Sequence, residues 1–302
     1  MQIAVAATPE VALPTLEALL KSEHDLVSVI TQPDRPAGRG LILKESPVAT
    51  WAKDRGITVH KPADQTELKL AVRDTDLVIT IGFGVIIKEE ILNLPTHGFI
   101  NLHFSLLPRW RGAAPVQRAI EAGDKKTGVT VFKLDKGMDT GPIYRQKEID
   151  IPNHATTESL LQELAILGAP VVLDAIEAVE SGEVPAIQSI DGASRAEKLS
   201  KDEGRIDWHL PAKKIERKIR AFYPAPGAWT TFRDEIIKIE QAQSCNSKVG
   251  QPGEISIDGK DLFISTPEGA LQIITVKPAG KASMSIVSWM NGARIEQHER
   301  FL

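Results

Sequence analysis

Short apolar runs alternate with stretches of helical spacing through the first 180 residues of this chain, and that alternation limits the folds open to it. IAVAA at 3–7, DLVSVI at 25–30, ITVH at 57–60, DLVITIG at 76–82 and FINLH at 99–103 read as strands, as do TGVTVFKLD and PIYRQKEIDI further on. Between them, PEVALPTLEALLKS opens a helix at Pro9 and Glu10. SPVATWAKDRG at 46–56 places Ser46 at the N-cap, Pro47 at N1 and Gly56 as the stop. PVQRAIEAG at 115–123 and the long segment opening at Thr156 or Thr157 are also helical. Strands and helices in this order predict an α/β fold with a doubly wound, mainly parallel, Rossmann-like sheet.

The pattern changes near residue 183. The next 25 or so residues contain few apolar side chains and read as extended linker; one helix follows at PAKKIERKIRAF, starting at Pro211. Beyond it, AWTTFRDEIIKIEQAQ, GEISIDGKDLFISTPEGALQIITVKPAG and SWMNGARI read as short strands separated by Gly, Pro and Asp-Gly turns, the signature of a small OB-like β-barrel. The expected domains are 1–190, a linker at 191–207 and a C-terminal domain at 208–302.

Charge follows the same division. Residues 1–207 hold 23 Lys+Arg against 30 Asp+Glu, whereas residues 208–302 hold 13 against 10, so a basic second part permits a polyanionic partner. Hydrophobic residues at 42% and charged residues at 25% suit a globular chain. MQIAVAATPE lacks a basic n-region and a long apolar run, so no signal peptide is expected. With no apolar stretch near the roughly 20 residues that cross a bilayer, the chain reads as cytoplasmic without a membrane partner; a monomer is expected, although sequence does not give the oligomeric state. The single Cys245 and the scattered histidines have no metal-ligand spacing, and no metal is expected.

The richest chemistry lies in INLHFSLLPRWRGAAPVQRAI at 100–120. Asn101 and His103 are two apart on a strand, so they share a face at its carboxyl end, where open α/β sheets bind ligands. An amide that donates to a developing oxyanion beside an imidazole that moves a proton suits acyl or formyl transfer to an amine. In DKGMDTGPI at 135–143, Asp139 sits near glycines in an inter-strand loop, from which a carboxylate can return to orient His103 or hold a water. Gly82-x-Gly84 lacks the third glycine of a dinucleotide fingerprint, since Ile87 stands there, which argues against a nicotinamide cofactor.

NLHFSLLPRWRGAAPVQRAI with DKGMDTGPI resembles the folate-dependent formyltransferases, in particular those acting on methionyl-tRNA; TQPDRPAGRG, KLSKDEGRIDW and RAFYPAPGAW extend the resemblance over nearly the whole chain. The resemblance implies formyl transfer from 10-formyltetrahydrofolate to the α-amine of initiator methionyl-tRNA. It implies that Asn101 bonds the formyl oxygen, His103 assists proton transfer and Asp139 tunes it. Ser105, Leu106, Leu107 and Pro108 would line the folate site, and the backbone of Gly82, Phe83, Gly84, Val85 and Ile86 would hold the pterin. Arg35, Arg39 and Lys44, around Gly38 and Gly40, would contact the acceptor stem. Two positions depart from the family pattern: Phe104, where a small residue is commoner, and Leu41 to Leu43, where basic residues commonly follow the second glycine. The rival readings are formyl transfer to a sugar-nucleotide amine and a non-catalytic tRNA- or folate-binding module.

Overall fold

The computed structural model describes residues 1–37, 42–246 and 250–302, in two compact units. The first comprises residues 1–115, 126–150 and 161–196. The second comprises 116–125, 151–160 and 197–302, so the division at Ala196/Glu197 falls inside the stretch read as linker.

The elements of the chain's first half are β1 (Gln2–Ala7), α1 (Leu13–Leu20), β2 (Asp25–Ile30), β3 (Arg35–Ala37), β4 (Ile42–Lys44), α2 (Pro47–Lys53) and β5 (Thr58–His60). Then come α3 (Gln65–Val72), β6 (Leu77–Ile81), α4 (Glu89–Leu92), β7 (Phe99–His103), α5 (Pro115–Ala122), β8 (Lys126–Lys133), β9 (Ile143–Asp150) and α6 (Thr157–Glu180). Seven strands form one sheet in the order β5-β2-β1-β6-β7-β8-β9. The first five are mutually parallel; β8 and β9 pair antiparallel, a departure confined to one side of the sheet. β6 is buried along its whole length, which is why its sequence LVITI runs apolar without alternation. At the sheet margin half of β9 is exposed and half of its side chains are charged, which protects the edge beyond Ile143, where Ala186 pairs with it. The Ser46 hydroxyl accepts from Ala49 N–H at 3.1 Å and Pro47 fills N1, the cap expected from the sequence.

α6 is 24 residues long, and by length and composition alone it is apolar enough to cross a membrane. Its Leu164, Ala165, Val172, Ala175 and Ile176 are buried in the protein. A Cβ at Gly168 would lie 2.7 Å from Leu102 Cδ2, so glycine permits the close approach of α6 to β7.

The second unit is built on α7 (Ala212–Phe222), β10 (Ala228–Phe232), β11 (Glu235–Cys245), β12 (Ile255–Asp258), β13 (Asp261–Ser265), β14 (Ala270–Pro278), β15 (Met284–Ser285) and α8 (Ile286–Ala293). Its antiparallel sheet runs β10-β11-β14-β13-β12, with β15 on β14. Trp208, Phe232, Trp289 and Phe301 form its aromatic centre, with ring centroids 5.2–5.8 Å apart. SWMNGARI is helical rather than the strand read from sequence. Ser285 caps α8 by accepting from Ser288 N–H, and buried Ile286 and Trp289, three apart, share a helix face.

Candidate active site

The parallel strands β6 and β7 deliver the first two groups. Register sets Thr80 opposite Asn101. Asn101 Nδ2 donates to Thr80 Oγ1 at 2.7 Å, while that hydroxyl donates onward to the Ile100 carbonyl at 3.2 Å. The hydroxyl proton is thereby committed, which fixes Asn101 as the donor and leaves its amide one further N–H.

His103 is 6% exposed, with its ring edge-on to Phe132 at 6.4 Å. Its Nε2 donates to the Trp110 carbonyl at 2.9 Å, and its Nδ1 faces Asp139 Oδ2 at 3.7 Å. Burial holds the imidazole below the usual histidine range; the Asp139 carboxylate and the Trp110 carbonyl pull it partly back. Asp139 Oδ2 accepts from Gly112 N–H at 2.7 Å. Asn101, His103 and Asp139 therefore occupy one end of the sheet. Trp110 and Asp139 both have left-handed backbones, at φ 65° and 53°.

The loop after β7 is braced from within. Ser105 is fully buried and donates to the Arg109 carbonyl at 2.7 Å, so its hydroxyl shapes the loop. Leu107 is buried as well, and Gln146 donates to its carbonyl at 2.7 Å; Leu106 and Pro108 are half-buried. The departure at Phe104 is accommodated by burying the ring, which is 8% exposed.

A second brace comes from the chain that precedes and follows residue 190. Trp110 N–H donates to Ser194 Oγ at 3.0 Å, Arg111 N–H to the Ser194 carbonyl at 2.9 Å, and Ala196 N–H to the Arg111 carbonyl at 2.7 Å. Buried Gln188 donates to the Asp139 and Gly141 carbonyls and accepts from Arg111. Residue types alone gave no sign of Thr80, Gln188 or Ser194. Trp110 and Gly112 act through main-chain atoms, which carry no sequence signature.

The loop at 82–86 leaves β6 two residues after Thr80. Gly82 and Gly84 have φ of 55° and 72°, and a Cβ at Gly84 would meet Gln32 Nε2 at 2.8 Å. Phe83 is buried, whereas Val85 and Ile86 are exposed. A cavity of about 480 Å³ beside this loop is lined by Gln32, Arg35, Leu68, Phe83, Gly84 and Val85 among others. Gln32 Nε2 donates to the Phe83 carbonyl at 2.6 Å and its Oε1 accepts from Arg35, which links this loop to the β3–β4 hairpin. That hairpin sets Arg35 opposite Lys44, both exposed; Ile42 and Leu43 are exposed too. Arg39 and Leu41 lie outside the described residues. Elsewhere, Glu23, His24 and Glu180 bring ligand-type atoms within 4.8 Å of one another, with His24 Nδ1 3.7 Å from Glu180 Oε1.

The family model "Formyl transferase" matches residues 1–176, and "Formyl transferase, C-terminal domain" matches residues 198–294. The chain is 41% identical to a methionyl-tRNA formyltransferase of Salinispora tropica over 305 residues, covering 99% of each chain. Its fold is similar to that of an N-formyltransferase of Helicobacter canadensis solved with folinic acid and dTDP-3-aminofucose (TM-score 0.70, 20% identity, 90% of this chain and 98% of that one). It is also similar to HypX of Aquifex aeolicus (TM-score 0.70, 18% identity), where it covers 99% of its own length and 48% of that chain. With both family models in sequence order and a relative matched from end to end, the chain belongs to the formyl transferase family.

Proposed function

We propose that this protein is a methionyl-tRNA formyltransferase, moving a formyl group from 10-formyltetrahydrofolate to the α-amine of methionine on initiator tRNA. The full-length identity to a methionyl-tRNA formyltransferase supports the acceptor. The observation that carries the chemistry is His103, held between the Trp110 carbonyl and Asp139 on the strand that also presents Asn101.

Bound folate supplies the formyl carbon as electrophile and a nitrogen as leaving group. Asn101 offers its second N–H to the formyl oxygen, which gains negative charge when the amine adds. His103 Nε2–H is committed to a carbonyl, so Nδ1 is the nitrogen with a free lone pair. That atom takes the proton the amine must lose and returns it to the departing folate nitrogen. Asp139 stabilises the imidazolium that exists between those two events. No net proton is consumed, and catalysis rests on positioning and on the oxyanion donor.

The 82–86 loop fits a planar pterin: left-handed glycines turn the chain there, and Phe83 with Val85 supplies apolar wall to the adjoining cavity. The basic hairpin at Arg35 and Lys44, with Arg39 between them in sequence, fits an RNA backbone. In the second unit three basic side chains of α7 are tied to carbonyls, Arg217 to Ala122, Lys218 to Glu203 and Arg220 to Ala155, so they also serve packing.

The test is formylation of charged initiator tRNA with 10-formyltetrahydrofolate, beside a sugar-nucleotide amine as competing acceptor. Turnover confined to the tRNA is the expected result. Transfer confined to the sugar would overturn the acceptor assignment, and binding without turnover on either would leave only a binding module.

A further inference from the structure

We propose that Gln188 is a positioning residue for formyl transfer, tying the loop that carries Asp139 to the loop whose Trp110 carbonyl holds His103; this rests on the site reading above. Between residues 183 and 190 Gln188 is the one buried side chain, at 8% exposure, while the neighbouring Ile187 and Ile190 are 93% and 89% exposed. A polar amide turned inward where isoleucines face out reverses the usual partition, and burial of an amide is tolerated only when it is hydrogen-bonded.

This one is fully used. Its Nε2 donates to the Asp139 carbonyl at 3.0 Å and to the Gly141 carbonyl at 2.7 Å; its Oε1 accepts from Arg111 Nε at 3.1 Å and Nη2 at 2.7 Å. The residue after Arg111 closes the circuit, since Gly112 N–H donates to Asp139 Oδ2 at 2.7 Å. Gln188 thus holds Asp139 by its main chain while Gly112 holds its carboxylate. The exposed residues Asp135 to Met138 are tied only within their own turn, where the Asp135 carboxylate accepts from Gly137 N–H and the Thr140 hydroxyl; Gln188 and Gly112 supply the ties that hold Asp139, at φ 53°, to the other loop. An amide is required here: a glutamate would accept from Arg111 but has no N–H for the two carbonyls.

The test uses the full chain, with Gln188→Met, Gln188→Glu, Arg111→Met, the double variant Gln188→Met/Arg111→Met, and Ile187→Ala as the control. Two quantities are read. One is kcat and KM for folate and charged tRNA; the other is the His103 titration by NMR, assigned with His103→Asn. Loosening Asp139 is expected to lower kcat ~10- to 100-fold in both Gln188 variants, with folate KM within about twofold, because small misplacements weigh heavily on rate. The His103 midpoint should move down as it loses the carboxylate, and Ile187→Ala should match the parent in both readouts. The double variant should lose no more than the worse single one, since both residues serve one clamp.

Parental kcat and His103 midpoint in Gln188→Glu, fully multiplying losses in the double variant, or lowered stability with kcat unchanged would each overturn the proposal. Should Gln188→Met not fold, Gln188→Glu and Arg111→Met still decide it. If the parent fails to formylate methionyl-tRNA, the functional reading fails, while the His103 titration, which needs no substrate, still tests Gln188.

Discussion

His103 Nδ1 and Asp139 Oδ2 face each other at 3.7 Å, while His103 Nε2 is committed at 2.9 Å to the carbonyl of Trp110. That separation is too long for a direct hydrogen bond and short enough for strong charge coupling. Each partner of the imidazole is held in left-handed backbone, which costs about 1–3 kcal/mol for a residue other than glycine. The loop hydrogen bonds at Arg111, Gly112, Gln188 and Ser194 offset that cost.

Replacing Asn101, His103 or Asp139 by alanine should lower turnover, by about 10²–10³ for the oxyanion donor Asn101, equivalent to roughly 3–4 kcal/mol. Thr80→Val, which keeps the shape and removes the acceptor for Asn101, should cost less, on the order of tenfold. Circular dichroism and thermal melting separate loss of chemistry from loss of fold. Near-normal rates in folded Asn101→Ala and His103→Ala would remove both from the site.

Acid should expose the burial of His103. Its folded pKa lies below the ordinary value, first through desolvation, with Asp139 and the Trp110 carbonyl acting in the opposite direction. As pH falls the unfolded chain therefore takes up the proton first. The stability due to neutral His103 is complete above about pH 6.5 and is lost as pH falls towards the folded value. Asp139→Asn removes a raising influence and should extend that loss to lower pH. Urea unfolding of the parent, Asp139→Asn and His103→Asn over a pH series checks this; parallel curves for all three would refute it.

Gly112→Ala should destabilise the protein by roughly 1–3 kcal/mol through its backbone alone. Its φ is 125°, and an added Cβ would lie 2.6 Å from the Ala196 carbonyl. Activity should fall with it, because the Gly112 N–H holds Asp139. Equal melting temperatures for Gly112→Ala and the parent would contradict the packing described.

Lys44→Ala should weaken tRNA binding and reduce its log–log salt dependence by about 0.7–0.9 in slope, leaving folate KM unchanged. Arg39→Ala is expected to do the same on the strength of its sequence position. Arg35→Ala should also disturb folate binding, because Arg35 bonds Gln32, which in turn holds the Phe83 carbonyl. Superimposable salt plots for Lys44→Ala and the parent would exclude this hairpin from RNA contact.

Periodicity was the reliable guide to the fold. IAVAA, LVITI and FINLH could bury only as strands of a covered sheet, and Ser46-Pro47 announced α2. At SWMNGARI the strand reading failed, since a cap at Ser285 and a three-residue apolar spacing outweighed the β-propensity of its isoleucine and tryptophan. In the site, Asn101, His103 and Asp139 could be picked out by side-chain chemistry. Their supports could not. Gln188 and Ser194 lie in a stretch without apolar period, and the Trp110 carbonyl and Gly112 N–H would be present whatever residue stood there.

The run from Gln188 to Ser194 places its donors and acceptors against two loops while the five residues between them, Ser189 to Ala193, face outward. Ser189, Ile190, Asp191 and Ala193 should therefore accept many replacements of side chain, whereas Gly192, at φ 78°, should resist them. Adding or deleting a single residue among them is a different matter, because Ala193 N–H closes a turn on the Ile190 carbonyl at 3.2 Å and a change in length would displace Ser194 and Ala196 from their partners. Selection on this segment should fall on its length and on Gly192, leaving the spelling of the other four to drift while the residue count stays fixed.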